Sequence, residues 1–259
     1  MTCVLGIDIG SYSSKGVLLC DHRIAGTTVT ASGGDYRSAA RRVRDALFSR
    51  TGVSQGEVVR TVATGYGAKM VPFADEIKTD ISCHSRGVFH LAPSVRTVVD
   101  VGDLHSKAMR IDEGGNQLRF VLSGKCAGGS ARVLKVIARV VQVNLVDLGS
   151  VSLTSRKRVE FNTGCAVFAE SEAISRIAEG AAKEDLLAGI HRALAAQLFS
   201  LAERVVIKKD LGITGGGAKD TGLVRALEEI AGFEVVVPRA PDLTAALGAA
   251  LLAARWTAP

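Results

Sequence analysis

Val4-Leu-Gly-Ile-Asp8-Ile-Gly10-Ser11-Tyr-Ser13-Ser14-Lys15-Gly16-Val-Leu-Leu19 sets two aliphatic runs on either side of a short polar turn. The pattern predicts a tight strand–turn–strand hairpin. Gly10 lets the backbone approach a neighbour closely. Ser11, Ser13 and Ser14 add hydroxyls and Lys15 an ammonium, so that with the turn amides they form an anion cradle. Asp8 ends the first strand with a carboxylate aimed at the same place, which suits a magnesium ion accompanying a phosphate. In isolation, an incidental Asp-x-Gly hairpin turn reads the same.

The stretch is repeated. In Thr97-Val-Val-Asp100-Val-Gly102-Asp103-Leu-His105-Ser106-Lys107, positions 100, 102, 106 and 107 repeat Asp8, Gly10, Ser14 and Lys15 at one offset of 92 residues. Internal duplication fixes architecture. It implies two similar halves, each opening with a hairpin whose turn faces a common cleft, with a nucleotide phosphate chain between the turns. Asp100, Asp103 and His105 then join Asp8 as candidate catalytic groups, and Gly102 joins the phosphate contacts.

The chain has 259 residues, 47% hydrophobic and 22% charged, enough for one large domain or two lobes. Its net charge of +6 is dispersed, as over Arg41-Arg42-Val-Arg44, with no aromatic-studded basic stripe. Nucleic-acid binding is therefore not expected. The N-terminus begins a strand almost at once, and the apolar run near Leu243–Ala254 is too short to span a membrane. A cytoplasmic protein is expected. Five cysteines, an odd number spread over the chain, do not resemble a secreted disulfide framework.

In order, the first half reads as strands over 4–10, 14–20 and 23–30, then a helix over Tyr36–Arg50 capped by Asp35. A strand over Val58–Ala63 runs into Thr64-Gly65-Tyr66-Gly67, a turn also able to approach the ligand. A helix over Ile81–Leu91 closes this half before Pro93. The second half has strands at 96–101, 105–112 and 117–122, and helices over 130–141, 166–178 and 184–206. Strand Asp210–Thr214, helix Asp220–Ala231, strand Glu234–Val237 and helix Leu243–Ala254 complete an α/β fold with mixed sheets. The expected lobes are 1–94 and 95–238, with 239–259 packing back on the first.

Ile213-Thr214-Gly215-Gly216-Gly217-Ala218-Lys219 is a strand ending in three glycines before a helix. Such glycines let the backbone lie against a base or ribose and offer amides to phosphate; a plain hairpin turn is the alternative. Asp8-x-Gly10, Asp100-x-Gly102 and Thr214-Gly215-Gly216, in this order, resemble the acetate kinase, sugar kinase, Hsp70 and actin superfamily. That resemblance implies duplicated ribonuclease H-like lobes with ATP between them.

Two cysteines select a branch. Cys126, in Lys125-Cys-Ala-Gly-Gly-Ser130, and Cys165, in Gly164-Cys-Ala-Val-Phe-Ala-Glu170, each precede a predicted helix. A helix N-terminus favours the thiolate, and two thiolates suit a soft metal. A 4Fe–4S cluster takes four cysteines, so a dimer would share one; two buried, inert cysteines are the alternative. Cys3, Cys20 and Cys83 read as structural.

Both segments resemble the BadF/BadG/BcrA/BcrD-type ATPases, the ATP-dependent activators of 2-hydroxyacyl-CoA dehydratases and ATP-binding subunits of benzoyl-CoA reductase. So do Ala63-Thr-Gly-Tyr-Gly67, Ser82-Cys-His84 and Gly189-Ile-His-Arg192. The resemblance implies ATP/ADP and magnesium as ligands, and one 4Fe–4S cluster bridging two subunits through Cys126 and Cys165. It further implies a homodimer or a heterodimer with a paralogous ATP-binding subunit, a ferredoxin or flavodoxin donor, and acyl-CoA reductase or dehydratase subunits as acceptor. The chain departs from the family's usual second turn, Asp-x-Gly-Gly-Gln-Asp, at Asp103, Leu104 and His105, which predicts slow ATP hydrolysis. The expected function is an ATP-dependent iron–sulfur electron-transfer subunit. A small-molecule kinase of the same fold and a non-catalytic nucleotide-binding partner subunit are the alternatives.

Overall fold

The computed structural model describes residues 2–124, 129–157, 159–161 and 166–255, with backbone alone at 166 and 167. The chain divides into two compact units, one of residues 1–93, 111–117 and 242–259, the other of 94–110 and 118–241.

The first unit holds β1 (Cys3–Ile9), β2 (Ser13–Cys20), β3 (Arg23–Ala31), α1 (Tyr36–Thr51), β4 (Val58–Thr64), β5 (Glu76–Ile77) and α2 (Asp80–Leu91). The sheet order is β3-β2-β1-β4-β5, with β1 antiparallel to β2 and parallel to β4. Every residue of β1 is buried, as a central strand covered on both faces requires. Asp35 caps α1 by accepting from the amides of Arg37 and Ser38, and Gly52 ends it in the left-handed conformation.

The last helix of the chain, α8 (Thr244–Ala254), also packs in this unit, against α2, β1 and β4. Its sequence TAALGAALLAA is apolar on all sides, and such a helix must be buried on all sides. Small residues let it come very close. A Cβ on Gly6 of β1 would lie 2.1 Å from the Ala246 carbonyl oxygen, and one on Gly87 of α2 would lie 1.9 Å from that of Thr244. The run that came nearest to membrane length is thus an internal wedge. Among the described residues no helix is long and apolar enough to cross a membrane.

The second unit holds β6 (Thr97–Val101), β7 (Ser106–Ile111), β8 (Gln117–Leu122), α3 (Arg132–Val140), α4 (Leu148–Ser152), α5 (Ala166–Ala178), α6 (Lys183–Glu203), β9 (Leu211–Thr214) and α7 (Thr221–Ala231). Its sheet order is β8-β7-β6-β9, again with an antiparallel hairpin partner and a parallel one for the first strand. One core joins Val99, Val101 and Ile213 of the sheet to Ile137 of α3 and to Leu187, Leu194 and Leu198 of α6.

Two expectations need correcting. The strand expected over Glu234–Val237 is a single parallel bridge, in which Val236 donates to Leu211 O and accepts from Ile213 N. The next donor along such a ladder is residue 238, a proline with no N–H, so pairing stops there. Secondly, an odd cysteine count discouraged any thought of pairing. The β1–β2 register nevertheless sets Cys3 opposite Cys20, and the two are disulfide-bonded.

Candidate functional site

The two repeated turns have one geometry. In the first, Asp8 and Lys15 are cross-strand partners on β1 and β2, and Lys15 Nζ lies 3.1 Å from Asp8 Oδ2. In the second, Asp100 and Lys107 face each other across β6 and β7 at 3.2 Å. Both carboxylates are buried. A buried carboxylate needs a counter-charge, and each turn supplies its own.

The glycines of these turns have a more local reason than ligand approach. A Cβ on Gly10 would sit 2.7 Å from Ser13 O, and one on Gly102 would sit 2.6 Å from His105 O. Glycine is what lets each turn close on itself.

The glycine turns after β4 and β9 form a second pair, with Thr64-Gly65-Tyr66-Gly67 matching Thr214-Gly215-Gly216-Gly217 at an offset of 150 residues. Gly65 has φ +88° and Gly215 φ +84°, in the left-handed region that favours glycine. A Cβ there would lie 2.2 Å from Asp8 Oδ1 and 2.4 Å from Asp100 Oδ1, respectively. Parallel pairing puts Asp8 beside Thr64 and Asp100 beside Thr214. Each aspartate is therefore held by lysine at one oxygen and abuts a glycine backbone at the other. In the second unit Thr214 Oγ1 and Gly215 N both donate to Pro241 O, at 2.7 and 2.9 Å. Gly216 is the exception: it is exposed, and a Cβ there would meet nothing within 4 Å. Its first-unit counterpart is the exposed Tyr66.

The remaining expected site residues fall into three groups. Ser11 and Ser13 are half-buried on the first turn, and Lys219 is exposed at the end of a 3-10 turn over Gly216–Lys219. Ser14 points inward: Ser32 Oγ donates to Gly10 O at 2.6 Å, so the Ser14 hydroxyl donates to Ser32 Oγ at 2.8 Å. His105 is half-buried on the second turn. Asp103 is engaged by α3, with Oδ1 2.6 Å from Lys135 Nζ and Oδ2 3.2 Å from an Arg132 guanidinium nitrogen. Cys126 and Cys165 lie outside the described residues. Among the described residues no cluster of three metal-ligating side chains occurs.

Burial by itself would raise the Asp103 carboxyl, but hydrogen bonds and charge from Lys135 and Arg132 outweigh it and hold the group below its ordinary 3.8. Burial also pushes Lys135 below its ordinary 10.5, an effect the Asp103 carboxylate only partly offsets. A carboxylate with a lowered folded value stabilises fully above 3.8 and loses that contribution as pH falls through the lowered value. The difference in melting temperature between the parent and Lys135→Met should accordingly hold steady near neutrality and shrink under acid. A steep change across neutral pH would contradict the pairing. Burial drives the Cys83 thiol up to about 12, against a smaller pull from the Thr64 hydroxyl, so this cysteine is inert.

Sequence reasoning missed one buried pair. His191 Nε2 of α6 lies 3.0 Å from Asp220 Oδ2, and Asp220 also caps α7 through the amides of Gly222 and Leu223. The pair ties α6 to the residue that follows the glycine turn. The sequence offered the two halves separately, His191 within Gly189-Ile-His-Arg192 and Asp220 as the ordinary-looking cap of α7, with nothing to join them.

Comparison with known proteins gives the same arrangement a family context. The profile of the BadF/BadG/BcrA/BcrD ATPase family matches residues 5–253. The chain is 38% identical to the (R)-2-hydroxyglutaryl-CoA dehydratase activating ATPase of Acidaminococcus fermentans, over 96% of each chain. It is 31% identical to one of the benzoyl-CoA reductase subunits of Thauera aromatica, over 97% of this chain and 93% of that one. The solved activator of the 2-hydroxyisocaproyl-CoA dehydratase from Clostridium difficile, with bound ADPNP, superposes with TM-score 0.94 at 37% identity. That match covers 100% of this chain and 98% of the other.

Proposed function

Since the chain belongs to the BadF/BadG/BcrA/BcrD ATPase family, we propose that it is an ATP-dependent activator. It would drive a low-potential electron into a 2-hydroxyacyl-CoA dehydratase or a related acyl-CoA reductase. The observation that carries the nucleotide half is the matched geometry of Asp8 and Asp100, each with its own lysine and its own positive-φ glycine.

In this reading Gly10, Ser11 and Ser13 and Gly102 present amides and hydroxyls to the phosphates. Gly215, Gly216 and Gly217 lie against the nucleoside, with Lys219 beside them. Asp8 would hold the magnesium ion, which neutralises phosphate charge when bound, and Asp100 would orient the attacking water. Phosphoryl transfer asks chiefly for such positioning and for charge neutralisation. Lys15 and Lys107 would hand their carboxylates over and turn to the phosphates when Mg-ATP arrives. Ser14 serves the turn from within, by holding Ser32 to Gly10 O.

Cys126 and Cys165 of two subunits would hold one 4Fe–4S cluster, which supplies one-electron transfer at low potential. Support for a second subunit comes from α5, which starts directly after Cys165 and leaves Phe168, Ile174 and Ile177 exposed. Iron analysis of anaerobically purified protein tests this reading. About four irons per dimer are expected, with iron and ATP-dependent reduction of the dehydratase lost together in Cys126→Ser and in Cys165→Ser. Nucleotide binding should survive both changes, and Cys83→Ser should change neither. Four irons per monomer, or full iron in both cysteine variants, would refute the shared site.

A further inference from the structure

We propose that Asp103 is a positioning residue that fastens the second phosphate turn to α3, so that nucleotide at the turn and the start of α3 respond as one piece. The inference rests on the activator reading above and gives that site its link to the helix layer. Three bonds make the fastening. Ala131 N donates to Gly102 O at 2.9 Å, Lys135 reaches Asp103 Oδ1, and Arg132 reaches Oδ2. Arg132 and Lys135 are three apart and share a face of α3. Both carboxylate oxygens are taken, and the Asp103 side chain is only 14% exposed, so the group is committed to α3.

The first unit shows what the turn needs for its own stability. There the corresponding carbonyl, Gly10 O, accepts from Ser32 Oγ, and the position that matches Asp103 is Ser11. The first turn thus closes its carbonyl on a serine hydroxyl, whereas the second closes on the amide that leads into α3 and adds the Asp103 carboxylate. The extra fastening in the second unit leads somewhere specific. Arg132 begins α3 six residues after Cys126. The opposite face of α3 (Val133, Leu134, Ile137) packs in one core with Ala169 and Ala173 of α5, the helix that follows Cys165. Asp103 thus reaches both cysteine-led helices through α3.

Hydrogen exchange on the full-length protein, with and without saturating ADPNP, tests the link. In the parent, ADPNP should slow or quicken exchange of the α3 amides. Lys135→Met should retain ADPNP affinity within about threefold and lose at least half of that α3 response. Asp103→Asn should lose as much, and the double variant should lose no more than either single one, as groups acting together do. A side chain that only stabilises the fold would raise exchange equally with and without nucleotide. An α3 indifferent to ADPNP in the parent, or a full response in both single variants, would overturn the proposal. Neither readout needs iron or an electron acceptor, so failure here is separable from failure of the electron-transfer reading.

Discussion

Replacing Gly216 with valine should leave the fold intact and weaken ATP binding by about 5- to 150-fold, the range that follows from an overpacking cost of about 1–3 kcal/mol. The position is unusual among the glycines of the site. Gly215 and Gly217 are locked in, since a Cβ on either would come within 2.5 Å of Asp100 Oδ1 or Val101 Cγ1. At Gly216 the space is open and φ is not left-handed. A side chain there offends nothing in the protein, so any loss is charged to the ligand. Melting temperature and ADPNP affinity, measured on the same preparation, separate the two. An unchanged affinity would remove the glycine turn from the nucleotide site; a collapsed melting temperature would mean that the open space is misjudged.

Gly248→Val should do the reverse and cost stability above all. A Cβ on Gly248 of α8 would lie 1.7 Å from the Cys83 carbonyl oxygen in α2, and backbone cannot swing aside as a side chain can. Together with Gly87 against Thr244 O, this makes a seam in which two helices touch backbone to backbone. Wedging them apart uncovers the buried alanines of α8 and strands such as β1 beneath it. A loss above about 4 kcal/mol is expected, which places the substitution in the exceptional class. In thermal unfolding that is a fall of roughly 10 °C or more for a chain this size. Gly34→Ala, where a Cβ meets nothing within 4 Å, is the control. A Gly248 variant that melts within a few degrees of this control would show that α8 is not wedged as described.

What the sequence disclosed depended on how far apart its signals lay. The Asp8 and Asp100 turns were legible because four identities share one offset, and each turn is local enough for its residues to be read together. The Thr64-Gly65 and Thr214-Gly215 pair was not matched, because its offset differs and because contact with Asp8 and Asp100 is a tertiary fact. The role of Asp103 depended on Lys135, 32 positions away. In the sequence it reads as an oddity in a phosphate turn; in the fold it is ion-paired with both Lys135 and Arg132. Likewise the Cys3–Cys20 pairing required the strand register, and the failure of the strand at 234–237 turned on one missing N–H at Pro238.

The two offsets differ because the two halves are not equally long. Asp8 and Asp100 are 92 residues apart, whereas Thr64 and Thr214 are 150 apart, so the second half is 58 residues longer between its hairpin and its glycine turn. In the first half that interval holds β3 and α1 before β4; in the second it holds β8 and then α3, α4, α5 and α6 before β9, together with Cys126 and Cys165. Both candidate cluster cysteines and four helices, α3 to α6, therefore fall in a single interval of one copy. The Asp8 and Asp100 turns and the two glycine turns lie outside that interval, so the paired geometry of the candidate nucleotide site does not depend on it.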